Sequence, residues 1–487
     1  MFQSFDAFRR HIVGIDQTFV SPYGEQKIVY ADWTAGGRLY APIEEKLYRE
    51  LGPFVANTHT ETNITGTSMT LAYHRAHHLI KQHCHADADD VIISSGFGMT
   101  AAVNKFQRIL GLKLPEQFRD CIDINVKCRP VVFVTHMEHH SNQTSWEETV
   151  AEVVVVPPGD DGLVDLNRVE DELHRYRDRP LKFGAFTAAS NVTGITTPVH
   201  DLARLMHRYD GWCFIDYAAS APYVDIDMHP ADADAKLDAV FFSPHKFLGG
   251  PGSAGMLIFN KELYKNRVPD QPGGGTVLWT NPWHGHHFID DIELREDGGT
   301  PGFLQTIRAG LAVELKERMQ TSAMLAREKE QVRRLFDGLR GIPNIHILAD
   351  NIEERLGIFS FYVHTLHYNL MVRLLNDRFG IQARGGCSCA GTYGHYLLHV
   401  DPHRSKEMTD RIDQGDLSAK LGWVRLSIHP TTTDDEIDYI IDAVAQIVRH
   451  GEVWGKDYRY DPHTNEFTHR RKPTDLRPLI DRWFALD

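Results

Sequence analysis

One lysine of the chain lies in a context that suits covalent chemistry. Residues 241–252 read as a buried strand, then Ser-Pro-His-Lys, then a glycine-rich turn, so Lys246 directly follows the strand. Glycine there lets the backbone approach a bulky ligand closely. A lysine that forms a Schiff base needs a partly desolvated pocket, where its pKa falls and the amine becomes a nucleophile. A solvated loop lysine is the alternative, and the surrounding sequence favours the nucleophile.

Two other polar segments also follow predicted strands. Asp216 closes the apolar run that begins at Trp212. A carboxylate there could keep a pyridine nitrogen protonated, as pyridoxal phosphate requires, or it could cap a helix. Residues 94–100 carry Gly96 and Gly98 before a helix predicted to begin near Ala101. Free N–H groups at a helix start, beside a hydroxyl, form a phosphate site, although a plain strand-to-helix turn has the same pattern.

Two more segments carry groups suited to acid–base or thiol chemistry. Residues 136–142, His-Met-Glu-His-His-Ser-Asn, offer a histidine that could stack on a flat ring; a metal site or a solvated loop would look the same. Residues 384–391, Arg-Gly-Gly-Cys-Ser-Cys-Ala-Gly, combine an arginine that could bind a carboxylate with two thiols in a loop. Thiols in such a loop are candidates for nucleophiles, whereas we expect Cys213 to be a core strand residue.

The elements that must position these groups alternate as in an α/β domain. Near-continuous apolar runs, typical of strands covered on both faces, predict strands at 91–94, 131–135, 153–156, 183–188, 212–215 and 239–242. Helical periodicity predicts helices at 68–86 and 311–339, and a capping box of Thr433 and Glu436 predicts a helix ending at Gly451. Further strands are predicted near 357–363 and 423–427, in a smaller α+β domain.

Composition narrows the function class. The chain has 487 residues and a net charge of -14, with 66 acidic against 52 basic residues, so we expect no nucleic-acid partner. No apolar run reaches membrane-spanning length, and the N-terminus lacks a signal-peptide core, so we expect a cytoplasmic protein without a membrane partner. Histidine is abundant, with clusters at 77–85 and 284–287, but we expect ring packing or solvation there and no metal site.

In their order along the chain, the five segments resemble the class V (fold-type I) family of pyridoxal-phosphate-dependent aminotransferases, over residues 30 to 450. The nearest branch is similar to the group II (SufS-type) cysteine desulfurases and selenocysteine lyases. The resemblance implies an α/β fold with a mostly parallel seven-stranded sheet in a large domain, residues 25–315. It implies a small α+β domain from residues 1–24 and 316–450, followed by a C-terminal extension, 451–487.

The resemblance also implies roles for individual residues. Lys246 is implied to carry pyridoxal 5'-phosphate as a Schiff base, and His139 to stack on its ring. The residues implied to bind this cofactor are Lys246, Asp216, His139, Asn191, Gly98, Met99, Thr100, Ser243, His245 and Thr276. Thr276 is implied to reach the phosphate of a second subunit, which implies a homodimer with shared active sites. Arg384, Asn191 and Arg425 are implied to bind the substrate, and Cys389 to be the catalytic nucleophile.

Two departures from the family pattern bear on the reaction. Ala219 stands where a glutamine is usual, so Ser220 or another group would have to compensate. Cys387 and Ser388 stand where the familiar loop has two histidines. We expect a desulfurase that converts L-cysteine (or selenocysteine) to alanine and leaves a persulfide on Cys389 for an acceptor protein. Another amino-acid transferase, racemase or β-lyase without a cysteine nucleophile is the alternative, and a non-catalytic scaffold is a third.

Overall fold

Apolar runs of four to six residues form the strands of one seven-stranded sheet. The structure is a computed structural model and describes residues 5–122, 125–472 and 475–486. In chain order the strands are β1 (Asp90–Ser95), β2 (Val131–Thr135), β3 (Glu152–Val156), β4 (Lys182–Thr187), β5 (Trp212–Asp216), β6 (Ala239–Phe242) and β7 (Gly255–Asn260). The spatial order is β1-β7-β6-β5-β4-β2-β3, with β7 antiparallel to both neighbours and the other pairs parallel. The mostly parallel seven-stranded sheet expected from the sequence is confirmed.

Both faces of this sheet are buried, which explains why its strands read as continuous apolar runs. Along β2, Val131 and Phe133 pack into one hydrophobic cluster, whereas Val132 and Val134 pack into another. This alternation follows from the two-residue repeat of a strand. All six strands predicted in this half of the chain are present, and their bounds shift by at most one residue.

The chain folds into two compact units, and each is built from two separate segments of the sequence. The first unit comprises Met1–Val13 and Thr34–Arg327, and the second comprises Gly14–Trp33 and Glu328–Asp487. The α-helices of the first unit are Asp6–Arg9, Ala41–Glu45, Ile64–His83, Gly98–Ile109, His140–Glu147, Leu166–Arg175, Val199–Arg208, Ile292–Arg295 and Phe303–Met319. A hairpin of β8 (Val277–Thr280) and β9 (His286–Phe288) also belongs to this unit. Among the residues described, none of the helices combines the length and apolar character needed to cross a membrane.

The second unit is built on an antiparallel sheet. Its strands are β10 (Ile345–Ile347), β11 (Ile358–Val363), β12 (Arg384–Gly386) and β13 (Trp423–Ser427), in the order β10-β11-β13-β12. Its helices are Tyr368–Phe379, Gly391–Leu397, Pro402–Asp413, Asp434–Trp454 and Arg477–Trp483. Short strands also pair at Thr18–Ser21 with Gly24–Lys27, and at Val29–Tyr30 with Ile381–Gln382.

Residues 458–469, near the C-terminus, pack against the rest of the second unit. They form a hairpin of β14 (Tyr458–Asp461) and β15 (Glu466–His469). Tyr458 and Phe467 of this hairpin are buried in the same hydrophobic cluster as β11 and β13. The Tyr458 hydroxyl donates to Asp377 Oδ2 at 2.9 Å, which ties the hairpin to the helix Tyr368–Phe379.

Three helix predictions need correction. The helix predicted at 68–86 begins four residues earlier and ends three earlier, at Ile64–His83. The single helix predicted over residues 311–339 is instead two helices, Phe303–Met319 and Thr321–Arg340. Gln320 adopts a φ of 61°, and a left-handed residue cannot continue a right-handed helix. Neither a glycine nor a proline marks this break in the sequence, and the apolar periodicity continues across it. The sequence pattern therefore predicted one continuous helix. The last helix has the predicted Thr433–Glu436 capping box but continues past Gly451 to Trp454. Gly451 is a packing residue, because a Cβ there would lie 2.6 Å from Leu366 Cδ1.

Candidate active site

A cavity in the first unit collects most of the predicted site residues. It lies where the chain leaves β1, β2, β4, β5 and β6, at the carboxyl ends of the parallel strands, the usual ligand position in an open α/β sheet. The predicted cofactor residues that line it are Lys246, Asp216, His139, Asn191, Gly98, Met99, Thr100, Ser243 and His245. Thr276 is not among the lining residues, and Arg384, Arg425 and Cys389 belong to the second unit.

Lys246 is positioned by a tight connection after β6. Residues Pro244–Lys246 form one turn of 3-10 helix, and the Lys246 N–H donates to the Ser243 carbonyl at 3.0 Å. The chain then folds back so closely that a Cβ on Gly250 would lie 1.8 Å from the Pro244 carbonyl oxygen. Only glycine fits there, which accounts for the glycine-rich turn after the lysine. This compact turn places Lys246 in the cavity wall.

Asp216 ends β5 and is 3% exposed. Burial raises the pKa of its carboxyl to about 6, although the Ala218 N–H bonded to Oδ1 at 2.8 Å and the nearby Lys246 charge lower it. The cavity wall beside it is made by Ala218 and Ala219. Ser220, which would have to compensate for Ala219, is buried and is not among the residues that line the cavity.

One end of the cavity is rich in hydrogen-bonding groups around the start of the helix Gly98–Ile109. The Met99 N–H donates to Ser243 Oγ at 2.8 Å, and the hydroxyls of Thr100 and Ser141 are 2.6 Å apart. Gly98 has a φ of 68°, and a Cβ there would lie 2.6 Å from His245 Cε1. A helix N-terminus lined with hydroxyls suits a phosphate. Ser141 was not predicted from the sequence, although its place in His-His-Ser-Asn was an available signal.

His139 caps the helix His140–Glu147, and its Nδ1 accepts from the Ser141 N–H at 3.0 Å. Since Nδ1 is an acceptor, the neutral ring carries its proton on Nε2. The residue before it, Glu138, is completely buried, and burial raises its pKa to about 7.

Glu138 anchors this turn to the sheet. Its carboxylate accepts from the Thr135 hydroxyl at 2.7 Å, from the Thr187 N–H at 2.9 Å and from Asn142 Nδ2 at 2.8 Å. It therefore joins the ends of β2 and β4 below His139. No role was predicted for Glu138 from the sequence, although it lies within the segment 136–142.

Asn191 lies in a turn just after β4 and is buried. The Ser190 hydroxyl accepts from the N–H groups of Val192 and Thr193 at 3.0 and 3.2 Å. Gly194, with a φ of 73°, donates back to the Ser190 carbonyl at 2.9 Å. This bonding holds Asn191 in place on the cavity wall.

In the second unit, the two predicted substrate arginines share one carboxylate. Arg384 and Arg425 are directly paired on β12 and β13. Asp32 Oδ2 accepts from Arg384 Nη2 at 3.0 Å, and Asp32 Oδ1 accepts from Arg425 Nη2 at 2.8 Å. The Arg425 side chain is 3% exposed and that of Arg384 is 49% exposed, so only Arg384 presents much of its guanidinium to solvent. No local sequence signal pointed to Asp32, which lies 352 residues from Arg384.

The two loop thiols follow Arg384 on a turn between β12 and the helix Gly391–Leu397. Cys389 is exposed and Cys387 is half-buried. Cys84 and Cys213 are buried, which raises the pKa of both thiols, and Cys213 lies in β5 as expected. Cys121 and Cys128 are exposed in the first unit.

In each histidine cluster, one member packs against an aromatic ring. His77 lies 4.5 Å from the Tyr73 ring, and His287 stacks on Trp279 at 6.4 Å. Within the described residues, one group of three potential metal-binding side chains comes together, Asp87, Asp90 and His229, and it includes neither cluster.

The fold, with its mostly parallel seven-stranded sheet, is that of fold-type I enzymes, the class to which class-V aminotransferases belong. The family described as Aminotransferase class-V matches residues 29–440, so the chain belongs to this family. A probable cysteine desulfurase of Halalkalibacterium halodurans is 26% identical over 371 residues, which cover 74% of this chain and 84% of that protein. A probable cysteine desulfurase of Streptomyces coelicolor is 25% identical over 369 residues, covering 75% and 84%.

Solved structures share the fold. A cysteine desulfurase from Thermococcus onnurineus superposes with a TM-score of 0.73 at 19% identity, covering 92% of this chain and 99% of that one. The cysteine desulfurase CsdA of Escherichia coli superposes with a TM-score of 0.70 at 19% identity, with the same coverage.

Proposed function

We propose that this protein is a cysteine desulfurase-like enzyme that uses pyridoxal 5'-phosphate to convert L-cysteine, or selenocysteine, to alanine. The extracted sulfur would remain as a persulfide on Cys389. The observation that carries the proposal is the single cavity lined by Lys246, Asp216 and His139 in a chain that also places an exposed thiol, Cys389, five residues after Arg384. The names of its relatives support the same activity.

The cavity fits the cofactor at both ends. The buried Asp216 carboxylate, whose pKa burial raises to about 6, would be stabilised as an anion by a protonated ring nitrogen. At the other end, the space beside Gly98 that a Cβ would fill lies against Ser243 Oγ and His245, next to the first N–H groups of a helix. Bound here, pyridoxal phosphate supplies an electron sink for the α-carbon of an amino acid.

The chain's own residues then have distinct tasks. Lys246 Nζ would hold the cofactor and move the α-proton of the substrate. His139 would cover the ring face with its Nε2 proton available. The half-exposed guanidinium of Arg384 would bind the substrate carboxylate, together with Asn191. Cys389 Sγ, as a thiolate, would take the sulfur atom of the substrate, because the thiolate is the nucleophilic form of cysteine.

A homodimer belongs to this proposal. The hairpin of β8 and β9 carries the exposed side chains of Leu278, Trp279 and Trp283. Thr276 directly precedes it, with its hydroxyl bonded to the Gly273 carbonyl at 2.7 Å. A second copy that covered this hairpin would bury the apolar surface. Thr276 itself is completely buried within its own subunit, so reaching the phosphate of that copy would require its turn to rearrange. A reducing cytoplasm would keep the catalytic thiol free, and an acceptor protein would collect the sulfur.

The test joins a visible spectrum with product analysis. Purified protein should show an absorption band that Lys246→Ala shifts or removes. With L-cysteine and a thiol reductant it should release alanine and sulfide in equal amounts. Cys389→Ser should keep the band and lose both products, whereas Cys128→Ser, which alters an exposed thiol of the first unit, should behave as wild type.

One observation favours the alternative class of reaction. Ala219 lines the cavity beside Asp216 and offers no side-chain hydrogen-bond donor where the family usually has a glutamine. A visible band without alanine from L-cysteine would refute the desulfurase and favour a transferase, racemase or β-lyase acting on another amino acid. Absence of a band after adding pyridoxal phosphate would refute both.

A further inference from the structure

The two thiols of the 384–391 segment are held in a tight reverse turn. The Ala390 N–H donates to the Cys387 carbonyl at 3.0 Å, and the residues between them, Ser388 and Cys389, have φ values of 53° and 56°. Two successive positive φ angles define a type I′ turn, which normally uses asparagine and glycine. For other residues this conformation is unfavourable, because the Cβ atom crowds the backbone.

The structure around the turn maintains this unfavourable conformation. On its N-terminal side, Gly386 and Gly385 pair with Trp423 and Val424 of β13. On its C-terminal side, Ala390 is completely buried and precedes the helix Gly391–Leu397. Ser388 at the tip is itself buried. The turn is therefore a fixed part of the second unit, and the spacing of its two cysteines is fixed with it.

That spacing suits a bond between the thiols. The Cα atoms of residues two positions apart are separated by at most about 7 Å, and a turn brings them closer together. Disulfides span Cα separations of about 4.4–6.8 Å. The other four cysteines belong to the first unit, so Cys387 is the thiol that the second unit provides beside Cys389. Cys389 is exposed, whereas Cys387 is half-buried.

We propose that Cys387 is a resolving thiol that releases sulfide from the persulfide on Cys389. This step rests on the proposed desulfurase function. The Cys387 thiolate attacks the inner sulfur, Cys389 Sγ, and a Cys387–Cys389 disulfide forms. The bond from Cys389 Sγ to the outer sulfur breaks, and the outer sulfur leaves with the electron pair as hydrosulfide, taking up the proton that Cys387 lost. The persulfide itself is the oxidant, so no other is needed.

This chemistry predicts a defined product. Hydrosulfide is a better leaving group than an alkyl thiolate, since the weaker base leaves faster in thiol–disulfide exchange. The enzyme would release one sulfide per subunit without an external thiol and then stop as the disulfide. A dithiol reductant would return both cysteines to the thiol form for the next turnover. Sulfur that no acceptor protein has taken from Cys389 would thus leave as sulfide.

The experiment is a single turnover of the reduced, desalted holoenzyme under anaerobic conditions. L-Cysteine is added at less than one equivalent per subunit, so that the substrate cannot itself reduce the persulfide. Alanine, sulfide and the non-reduced subunit mass are measured after an acid quench. Wild type should give equal alanine and sulfide, lose the mass of two hydrogen atoms, and yield a peptide linking Cys387 and Cys389.

The variants separate this inference from the activity on which it rests. Cys387→Ser should form as much alanine as wild type, release at least tenfold less sulfide, and gain the mass of one sulfur atom on Cys389. Adding dithiothreitol should then release that sulfur. The inference is overturned if wild type itself accumulates the persulfide without sulfide, or if the extra sulfur is found on Cys387. Wild type that forms no alanine would refute the proposed function, and the inference with it.

Discussion

Replacing Asp32 with asparagine tests whether one carboxylate stabilises both predicted substrate arginines of the second unit. Each Asp32 oxygen accepts from a different guanidinium, from Arg384 at 3.0 Å and from Arg425 at 2.8 Å. Asparagine keeps the volume but has a single acceptor oxygen, and its NH₂ group would face the other arginine. The change therefore removes the negative charge and leaves one of two positive charges beside a donor.

The magnitude follows from the burial of the two arginines. The Arg384 side chain is 49% exposed, so its pair with Asp32 contributes only about 0.2–1 kcal/mol. The Arg425 side chain is 3% exposed, and removing the partner of a buried ion pair costs about 3–5 kcal/mol. Because asparagine retains one acceptor, we expect a loss near the lower end, about 3 kcal/mol. For a unit of this size that corresponds to roughly 6–12 °C in melting temperature.

Thermal unfolding of the full chain measures this loss. The matched control is Asp410→Asn, which breaks an exposed pair with Lys406 at 2.8 Å and should change the melting temperature by at most about 2 °C. The double variant Asp32→Asn, Arg425→Met should be more stable than Asp32→Asn alone, because it also removes the uncompensated buried charge. An Asp32→Asn melting temperature no lower than that of the control would refute the reasoning.

Three shorter predictions concern the cofactor cavity, pH dependence and a helix cap. Gly98→Ala should weaken the retention of pyridoxal phosphate, because the new Cβ would lie 2.6 Å from a side-chain atom. The control Gly111→Ala, at a similar φ of 71° but in open space, should retain the cofactor. Visible absorbance during dialysis measures this retention. Burial raises the pKa of Glu328 from 4.5 to about 7, so the folded carboxyl keeps its proton longer than the unfolded one and stability falls as pH rises through that window. Urea unfolding should show a smaller loss between these pH values for Glu328→Gln. Thr433→Ala removes the side-chain acceptor of the capping box and should cost about 1 kcal/mol in urea unfolding, and an unchanged midpoint would contradict it.

The sheet and its cavity were accessible to sequence reasoning because their signals are local. Each strand of the seven-stranded sheet is a short, mostly apolar run, and each motif of the cavity follows its strand within a few residues. The carboxyl ends of parallel strands meet at one edge of a sheet. Lys246, Asp216 and His139 could therefore be expected to lie together, as they do.

Features that depend on distant contacts were not accessible in this way. Asp32 contacts Arg384 across 352 positions, and nothing in its local sequence marks it as a partner of arginine. Gly451 looked like a helix end, but its contact with Leu366 makes it part of the packing. Gln320 breaks a helix without a glycine or proline signal. In each case the tertiary structure outweighs the local propensity.

The two departures from the family pattern lie in different units, and this separates cofactor binding from the choice of reaction. Ala219 lines the first-unit cavity together with Lys246, Asp216 and the proposed phosphate site, and none of these depends on what happens to the substrate sulfur. Cys387 belongs to a turn of the second unit whose conformation β12 and β13 maintain. A substitution at Ala219 should therefore alter the visible spectrum, and a substitution at Cys387 should leave it unchanged while altering the fate of the sulfur. If the substitutions at Ala219 and Cys387 changed the visible spectrum alike, the turn that carries Cys387 would not act independently of the cofactor.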